Sequence, residues 1–343
     1  MEISPSLEII TIIVDGFRRR KNIFAILEKR SGKQRRMMMM GGYVFRSDEQ
    51  ERITSRFGGD FYGKLVGDLD VYTEKWRLDA LSLIPSYSAN LVFLCHSEDY
   101  GDAVLKIGDP AFPETRSEYL ALRHFDGGRF CRVFAVDADK GALLIEHVKP
   151  GIPLRKELSL DKRLSVFCSL YRGLHAEPAE PERFPSYTGW VNRITEYMSQ
   201  RQDCVELYEH MKKAREICLE VARRYTQKML LHGDFHHDNI LLGAGGEYRI
   251  IDPKGVVGDP VFDVPRFILN EFDNEITDGL FDKINSIVMA LEESLRIPQG
   301  ILRKCLYVET AMGMCWCVES GAGPEEMAKL MQTVVFAEAV LNH

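Results

Sequence analysis

The chain has 343 residues, of which 45% are hydrophobic and 10% aromatic, and its formal net charge is −7. This length is sufficient for two units with hydrophobic cores, and the composition excludes a protein that is disordered throughout. Residues 1–36 contain nine Lys or Arg and four acids, a net +5, which leaves −12 for residues 37–343. Such an acidic body argues against nucleic acid as a partner and favours a cationic ligand, although a charge that serves solubility explains it equally well.

Residues 1–41 are predicted to be a basic N-terminal extension. Its apolar run at 9–14 is too short to cross a bilayer, and no basic stretch precedes it as in a secretory signal. Residues 18–36 alternate basic and apolar side chains, which is compatible with a segment on an anionic surface, but they form no continuous apolar face. We therefore expect a poorly ordered extension and no membrane span, and Met37–Met40 leave open whether residues 1–41 belong to the native protein.

The eight cysteines show neither a CxxC pair nor the regular spacing of a disulfide framework. Cys315 and Cys317 are two apart in a predicted helix, so their side chains diverge and do not form a chelating pair. The cysteines are therefore predicted to be reduced, half-buried thiols of a cytoplasmic protein.

Residues 42–148 are predicted to form an N-terminal lobe around a small antiparallel sheet. Residues 48–80 are typical of helical pieces that pack beside this lobe. A helix is expected from Pro113 to about Phe125. Strands, separated by turns at Tyr100-Gly101-Asp102 and Asp139-Lys140-Gly141, are expected at 90–96, 103–107, 131–138 and 142–148.

Residues 149–343 are predicted to form a second, mostly helical lobe. The pattern changes after Pro150-Gly151, which indicates a break near Lys149. Helices are expected at 161–175, 188–200, 203–225, 260–272, 278–296, 298–320 and 324–341. The fold class is therefore α+β, with a small antiparallel sheet in the first lobe and helices in the second.

One short segment of the second lobe combines side chains that handle protons and metal ions. His232-Gly233-Asp234 begins a polar loop, Asn239 follows five positions after Asp234, and Asp252 ends a short apolar segment that is expected to be the second strand of a hairpin. Two acids and an amide can thus meet at one point. Phosphoryl transfer needs this set, because Mg²⁺ prefers oxygen ligands and a carboxylate can orient the attacking hydroxyl. Asn239 and Asp252 are predicted to bind Mg²⁺, and Asp234 is predicted to be the catalytic residue.

This spacing resembles that of the kinase-like phosphotransferases, in which a His-containing loop with Asp, four residues and Asn precedes a metal-binding Asp. His-Gly-Asp, with Pro253 after Asp252, is similar to the aminoglycoside phosphotransferases. Within them, the run from Ile251 to Asp263 is similar to the aminoglycoside and hydroxyurea resistance kinases. The resemblance extends over about 81–320 and implies a two-lobed protein-kinase-like fold, ATP and Mg²⁺ as cofactors, and streptomycin 6-phosphotransfer as the activity.

The resemblance also implies residues that bind the nucleotide in the first lobe. Lys106 would reach the phosphates of ATP, and Glu118 is its expected partner, since it lies on the apolar face of the helix that follows. The loop before the first strand contains no glycine, so hydroxyl groups would replace backbone contacts there. The further expected nucleotide-binding residues are Ser86 and Ser88 in this loop, and Glu146 and Val148 through their backbone groups in the connector.

Other polar residues near the motif have expected roles in structure or in acceptor binding. His232 is predicted to hold the loop, and the resemblance implies that Asp263 braces it. His236 and His237 are predicted to border the acceptor pocket; a zinc site at these histidines is disfavoured, because the loop lacks helical His spacing and zinc would leave Asp234 and Asn239 unexplained. Asp259 is either a helix cap or an acceptor contact.

The acceptor is predicted to be a small molecule with a hydroxyl group. Ten residues separate Asp252 from Asp263, which leaves no long segment for docking a peptide and disfavours a protein kinase. Trp316 and Glu319 are candidates for binding a cationic acceptor, although a core tryptophan and a solvated acid explain them as well.

The sequence thus predicts an ATP-dependent phosphotransferase that acts on an alcohol, an aminoglycoside such as streptomycin, and so inactivates an antibiotic. A housekeeping kinase of a sugar, amine or choline-like metabolite is the first alternative. A nucleotide-binding module without catalysis is the second. The oligomeric state, the hydroxyl that is modified and the choice between ATP and GTP stay open.

Overall fold

The structure is a computed structural model that describes residues 43–87, 90–109, 114–272 and 275–343. The chain divides into two compact units. The N-terminal unit contains the described residues up to Gly151 together with residues 243–249, and the C-terminal unit contains residues 152–242 and 250–343. The predicted extension at 1–41 lies outside the described residues.

The N-terminal unit is built on a five-stranded antiparallel sheet with the strand order β1-β2-β3-β5-β4. Three helices accompany this sheet. The elements of the unit are α1 (Ser47–Phe57), α2 (Gly59–Lys75), β1 (Leu78–Ile84), β2 (Asn90–Ser97), β3 (Gly101–Gly108), α3 (Glu114–Phe125), β4 (Val133–Asp137) and β5 (Ala142–Glu146).

The core of the N-terminal unit lies between the sheet and the helices that precede it. Leu65, Leu69 and Tyr72 recur at helical spacing on α2 and are buried in one cluster with Phe93 and Leu105 of the sheet. Strand β1 corrects the sequence analysis, which assigned residues up to 80 to helical pieces and predicted no strand before residue 90. Its burial pattern is irregular because a bulge interrupts its pairing with β2, and this hides the alternation that marks a strand.

The C-terminal unit is mostly helical. Its helices are α4 (Leu160–Tyr171), α5 (Tyr187–Ser199), α6 (Val205–Arg224), α7 (Pro265–Leu269), α8 (Asp278–Leu295), α9 (Gln299–Glu319) and α10 (Pro324–Leu341). Helix α9 packs against α5, α6, α7 and α10. Every side chain from Cys305 to Cys315 is buried, so α9 is the central helix of this unit.

Short strands flank the motif. They are β6 (Ile152–Pro153), β7 (Met229–Leu231), β8 (Ile240–Leu242), β9 (Tyr248–Ile250) and β10 (Val256–Gly258). Strand β7 pairs antiparallel with β10, and β6 pairs antiparallel with β8. The motif residues 232–239 therefore form the loop between β7 and β8, while Asp252 lies between β9 and β10.

The single helix predicted at 260–272 is two shorter pieces, a 3-10 turn at Pro260–Asp263 and α7. Pro265 accounts for the break, because proline has no N–H to continue a helix and restricts the residue before it. All eight cysteines are buried free thiols. In the described part of the chain, no helix has both the length and the hydrophobicity needed to span a membrane.

Candidate active site

The carboxylate of Asp263 holds the loop between β7 and β8 through hydrogen bonds. The backbone N–H of His232 donates to Oδ2 of Asp263 and that of Gly233 to Oδ1, both over 2.7 Å. Nε2 of His175 lies 2.9 Å from Oδ2. Asp263 is 1% exposed, so these contacts are sheltered from water. Both oxygens of one buried acid thus hold the start of the loop.

Gly233 has a backbone conformation that a side chain would disturb. Its φ is +76°, in the left-handed region. A Cβ at this position would lie 2.9 Å from Cγ1 of Val256 and 3.0 Å from Cη2 of Trp190. The glycine therefore permits the sharp turn that leads into Asp234.

Asp234 and Asn239 are in direct contact. Nδ2 of Asn239 donates to the backbone carbonyl of Asp234 over 2.9 Å and lies 3.4 Å from its Oδ2. Asn239 is 1% exposed, whereas the Asp234 side chain is 22% exposed. The five-residue spacing thus closes the loop on itself and leaves the carboxylate at its surface.

Backbone hydrogen bonds attach Asp252 to the same loop. The N–H of Ile251 donates to the carbonyl of Asn239 over 3.0 Å, and the N–H of Lys254 donates to the carbonyl of His232 over 2.7 Å. Nζ of Lys254 donates to Oδ2 of Asp252 over 2.9 Å. The backbone of Asp252 is left-handed, with a φ of +62°, which few residues other than glycine adopt. The two acids and the amide that the sequence singled out therefore lie in one assembly.

The surroundings of Asp234 keep it ionised. Burial raises the pKa of its carboxyl group, but the charges of His236, Arg266 and Lys254 outweigh burial and hold the pKa well below its usual range. Nε2 of His236 lies 3.4 Å and Nε of Arg266 lies 3.3 Å from Oδ1 of Asp234. Asp234 is thus a carboxylate at neutral pH, and such a group accepts hydrogen bonds.

Lys106 and Glu118 form a buried ion pair in the N-terminal unit. Nζ of Lys106, on β3, donates to Oε1 of Glu118, on α3, over 2.6 Å. The two residues are 7% and 3% exposed. Burial of both charges is tolerated because each neutralises the other. The pairing predicted from helical periodicity is the one that the structure contains.

The remaining predicted nucleotide residues have varied surroundings. Ser86 is half-buried, and its N–H donates to the carbonyl of Ile84; Ser88 lies outside the described residues. Oε2 of Glu146 accepts from the backbone N–H of Arg132 over 3.0 Å and from Nη2 of Arg249 over 3.1 Å. A cavity of about 970 Å³ in this unit is lined by Glu146, Val148, Lys149 and both arginines, among others.

His237, which was predicted near the acceptor, lies inside the protein. His237 is 1% exposed, and its Nε2 lies 2.7 Å from Oε1 of Glu271. Burial lowers the pKa of His237 to about 4. For Glu271, burial acts in the opposite direction, but hydrogen bonds from His237 and Arg163 outweigh it and lower the pKa to about 2. His237 is therefore placed to hold the loop through its contact with Glu271 rather than to touch an acceptor.

Asp259 has the capping role that was one of its two predicted roles. Its Oδ1 accepts from the N–H of Val261 over 3.2 Å, at the start of the 3-10 turn, and its Oδ2 accepts from the N–H of Gln227 over 3.1 Å. Asp259 is 4% exposed. It thereby orients the segment from which Asp263 holds the loop.

The candidates Trp316 and Glu319 each have a partner on α5. The rings of Trp316 and Trp190 meet edge to face, with centroids 5.6 Å apart. Nη1 and Nη2 of Arg193 lie 2.6 and 2.8 Å from the two carboxylate oxygens of Glu319. A Cβ on Gly233 would lie 3.0 Å from Cη2 of Trp190, so two indoles lie near the loop. The ion pair with Arg193 partly satisfies the charge that was expected to attract a cationic acceptor.

The sequence analysis missed Arg266, Glu309 and Trp190 at this site. One signal for Glu309 is visible in the sequence, since it is the single charged residue in the buried stretch from Cys305 to Cys315. A buried acid requires a cation. Nothing in the sequence identifies Arg266 as that cation, because Arg266 and Glu309 are 43 positions apart and only the fold brings them together.

Comparisons with known proteins identify the family of this chain. Residues 75–321 match the family model for aminoglycoside/hydroxyurea antibiotic resistance kinases. The chain is 27% identical over 316 residues to a hydroxyurea phosphotransferase of Kitasatospora aureofaciens, a match that covers 88% of each chain. It is 24% identical over 255 residues to a streptomycin 6-kinase of Streptomyces griseus, covering 72% of this chain and 81% of the relative.

A solved structure shows the same fold. A thermostable mutant of aminoglycoside phosphotransferase APH(4)-Ia, in ternary complex with ADP and hygromycin B, has a TM-score of 0.56 and 13% sequence identity, and the match covers 80% of this chain and 97% of that one. The α+β, kinase-like fold class predicted from the sequence is thereby confirmed.

Proposed function

Since this chain belongs to the aminoglycoside/hydroxyurea antibiotic resistance kinase family, we propose that it transfers the γ-phosphate of ATP to a hydroxyl group of a small molecule. The observation that carries this proposal is the contact between Asp234 and Asn239, in a loop to which the residues on either side of Asp252 are hydrogen-bonded. Phosphoryl transfer depends mainly on position and charge, and this assembly supplies both.

Asp234 is the residue that acts on the acceptor. As a carboxylate it accepts a hydrogen bond from the acceptor hydroxyl and so directs the oxygen toward the γ-phosphorus. The new O–P bond forms as the bond to the bridging oxygen of ADP breaks, and the hydroxyl proton passes to Asp234. A carboxylate with a lowered pKa is a weak base, which suits a loose transition state in which the proton leaves late.

The donors at Asn239 and Asp252 fit Mg²⁺. Both offer oxygen, the ligand that this ion prefers, and Mg²⁺ keeps several waters in addition to a few protein ligands. Nδ2 of Asn239 donates to Asp234, so the amide oxygen is the end that would serve the ion. When bound, Mg²⁺ would neutralise charge on the phosphate oxygens. Asp252, whose Oδ2 accepts from Nζ of Lys254, would be the carboxylate that holds the ion.

Lys106 is proposed to contact the phosphates of the nucleotide, and Glu118 to hold the lysine side chain in place. The 2.6 Å ion pair supports this assignment, because a lysine that binds phosphate must be kept extended along its strand. The side chain of Glu146 is engaged by Arg132 and Arg249, so the connector would offer its backbone to the base.

The acceptor is proposed to be an aminoglycoside such as streptomycin. The likeness to a streptomycin 6-kinase supports this class, as do the two indoles near the loop and Glu319 on α9, because cationic ligands bind carboxylates and aromatic faces. A cationic group of the acceptor would compete with Arg193 for Glu319. Hydroxyurea is the second candidate, since the relative that bears its name matches 88% of each chain.

An acceptor panel tests the proposal. ADP release is measured with ATP, Mg²⁺ and, in turn, streptomycin, other aminoglycosides, hydroxyurea, amino sugars and choline, and NMR then locates the phosphate on the product. Release with an aminoglycoside supports the first candidate, and release with hydroxyurea alone supports the second. Release only with sugars or choline indicates a housekeeping kinase. ATP binding without release from any acceptor indicates a module without catalysis.

The Asp234→Asn variant tests the catalytic assignment. It keeps the size of the side chain but not its charge, so turnover should fall by at least about 100-fold while ATP binding is retained. Asp203→Asn is the matched control, because Asp203 is an exposed acid paired with Arg201. Equal turnover in wild type and Asp234→Asn would contradict the assignment.

A further inference from the structure

Asp238, the residue before Asn239, has a buried carboxylate that Arg155 binds. The side chain of Asp238 is 2% exposed, and Nε of Arg155 lies 3.0 and 2.9 Å from its two oxygens. His236 is also close, with Nδ1 3.8 Å from Oδ2 of Asp238, but this nitrogen accepts from the backbone N–H of Asp238 and so carries no proton. Arg155 therefore supplies a permanent positive charge to an acid that burial disfavours.

The same guanidinium binds Asn270 at the end of α7. Nη2 of Arg155 donates to Oδ1 of Asn270 over 2.6 Å, and Nη1 donates to the Asn270 carbonyl over 3.3 Å. Nδ2 of Asn270 donates to the carbonyl of Arg266 over 2.8 Å, which turns the amide oxygen toward Arg155. Asn270 is 5% exposed. Arg155, Asp238 and Asn270 thus connect the end of the loop to α7, and we name these three side chains the Arg155 link.

The segment that carries Arg155 also fixes the chain after Asn239. Arg155 lies in a 3-10 turn directly after β6. Strand β6 pairs antiparallel with β8, and β8 begins at Ile240. Residues 152–155 therefore bind the chain on both sides of Asn239, through strand pairing after it and through Asp238 before it.

The carboxamide of Asn239 depends on this anchoring for its direction. Its Nδ2 donates to the carbonyl of Asp234 over 2.9 Å, and Asn239 is 1% exposed. Both ends of that bond belong to the loop, so it orients the amide relative to the loop itself. The Arg155 link orients the end of the loop relative to α7. A binding residue must be held to within about 0.5 Å, which requires both relations.

An ion pair that served stability alone would need less than this. Apolar side chains of similar size in place of a buried ion pair are often neutral or stabilising, so stability is a weak reason for these charges. A guanidinium is planar, and its N–H groups reach Asp238 and Asn270 at once, which fixes a direction as well as a charge. The Arg155 link therefore suits a site that requires position.

We propose that Arg155 is a positioning residue for Asn239, and that it holds Asp238 against Asn270 so that the amide oxygen of Asn239 is kept in place for Mg²⁺. This inference rests on the proposed function, in which Asn239 is a ligand of that ion. Arg155 touches neither the ion nor the reacting atoms and acts through Asp238.

The first test observes Asn239 directly and requires no metal, nucleotide or acceptor. The side-chain amide resonances of Asn239, assigned by their loss in Asn239→Ala, are followed by NMR hydrogen exchange in wild type and Arg155→Gln. The amide should exchange at least about 10-fold faster in Arg155→Gln, the factor that corresponds to loss of one hydrogen bond. Wild-type exchange in this variant would overturn the proposal.

Arg303→Gln is the matched control. Arg303 is a buried arginine of the same unit, and like Arg155 it binds an asparagine oxygen and a backbone carbonyl, those of Asn285 and Val340. Its loss should lower thermal stability without changing the exchange of the Asn239 amide. Equal acceleration in the Arg155 and Arg303 variants would also overturn the proposal, because it would reflect general loosening.

The second test measures metal binding, with Mn²⁺ as the probe and AMP-PNP bound to the protein. In EPR titrations, Arg155→Gln should weaken Mn²⁺ binding by about 10- to 100-fold, the usual effect of removing a group that orients a metal ligand. The affinity for AMP-PNP in EDTA should stay at the wild-type value. Asn239→Ala, which lacks the ligand itself, gives the lower limit of Mn²⁺ affinity.

Two further variants separate position from charge. Asn270→Ala leaves the ion pair of Arg155 with Asp238 in place and removes the side chain that anchors it, so Mn²⁺ affinity should still fall. Arg155→Lys keeps the charge, but a point charge cannot reach Asp238 and Asn270 at once, and the affinity should fall here too. If Arg155→Gln does not fold, these two variants decide, since wild-type Mn²⁺ affinity in both would overturn the proposal.

Failure of this inference is separate from failure of the proposed function. If Asn239→Ala binds Mn²⁺ as tightly as wild type, Asn239 is not a metal ligand and that part of the proposed function is wrong, while hydrogen exchange still tests whether Arg155 positions Asn239. If Asn239→Ala loses Mn²⁺ affinity and Arg155→Gln does not, the proposed function stands and the positioning role is refuted.

Discussion

Replacing Asp263 by Asn should loosen the loop that carries Asp234. Asp263 receives the N–H of Gly233 on Oδ1 and that of His232 on Oδ2, each over 2.7 Å. The amide of Asn has one oxygen, so in either orientation its NH₂ group faces a backbone N–H. One buried hydrogen bond to a charged group is then lost, at about 1.5–3 kcal/mol, and a buried donor is left unsatisfied, at about 1–3 kcal/mol.

The expected loss in the free energy of unfolding is therefore about 3–5 kcal/mol, measured by urea unfolding with linear extrapolation. Turnover should fall as well, by about 100-fold if Asp234 moves by about 1 Å. Asp259→Asn is the matched control, because Asp259 is similarly buried and also receives two backbone N–H groups, neither of them from the loop. It should lower stability and reduce kcat by less than Asp263→Asn does.

Two results would refute this reasoning. If the free energy of unfolding of Asp263→Asn is within about 1 kcal/mol of the wild-type value, the carboxylate does not hold the loop in place. If Asp263→Asn and Asp259→Asn lower kcat equally, the loss of turnover reflects general loosening of the segment and not the two bonds to the loop.

Three further predictions concern other parts of the molecule. Lys106→Met should abolish ATP binding in calorimetry and destabilise the protein by about 3–5 kcal/mol in urea, because a buried carboxylate loses its cation; a Lys106→Met/Glu118→Leu double variant should regain stability but not ATP binding. Gly233→Ala should lower the urea midpoint and kcat together, since φ is +76° and a Cβ meets neighbours at 2.9 Å; a wild-type midpoint would contradict it. The folded-state pKa values of about 4 for His237 and about 2 for Glu271 lie below those of the unfolded chain, so the unfolded state binds more protons. The free energy of unfolding should therefore fall as pH drops from about 6.5 to 2. In His237→Gln, the free energy of unfolding should change less between pH 6.5 and 4.

Much of the sheet and of the loop followed from local patterns. Strands β2 and β3 were predicted within two residues of their ends because apolar and β-branched runs flank a glycine turn. The pairing of Lys106 with Glu118 followed from helical periodicity, which places Glu118 on the buried face of α3. Both are short-range regularities that a sequence displays directly.

The features that were missed depend on contacts between distant residues. The ion pair of Arg193 with Glu319 joins positions 126 apart, and each side chain on its own is typical of a solvated helix face. Arg266 likewise follows a proline in a helix of five residues, where periodicity has little meaning. Local propensity cannot assign a partner across the fold. These partners are identified only from the structure, in which helices α5, α7 and α9 pack together.

Because the backbone at Asp252 is left-handed, stability and the proposed activity favour different residues at that position. Glycine adopts a φ of +62° without the steric penalty that a Cβ incurs, which is about 1 kcal/mol. A library selected for heat resistance alone should therefore enrich Asp252→Gly, and the same clones should lose the proposed ligand for Mg²⁺. At this position a left-handed backbone coincides with the proposed ligand for Mg²⁺, and such backbone outliers cluster at active sites.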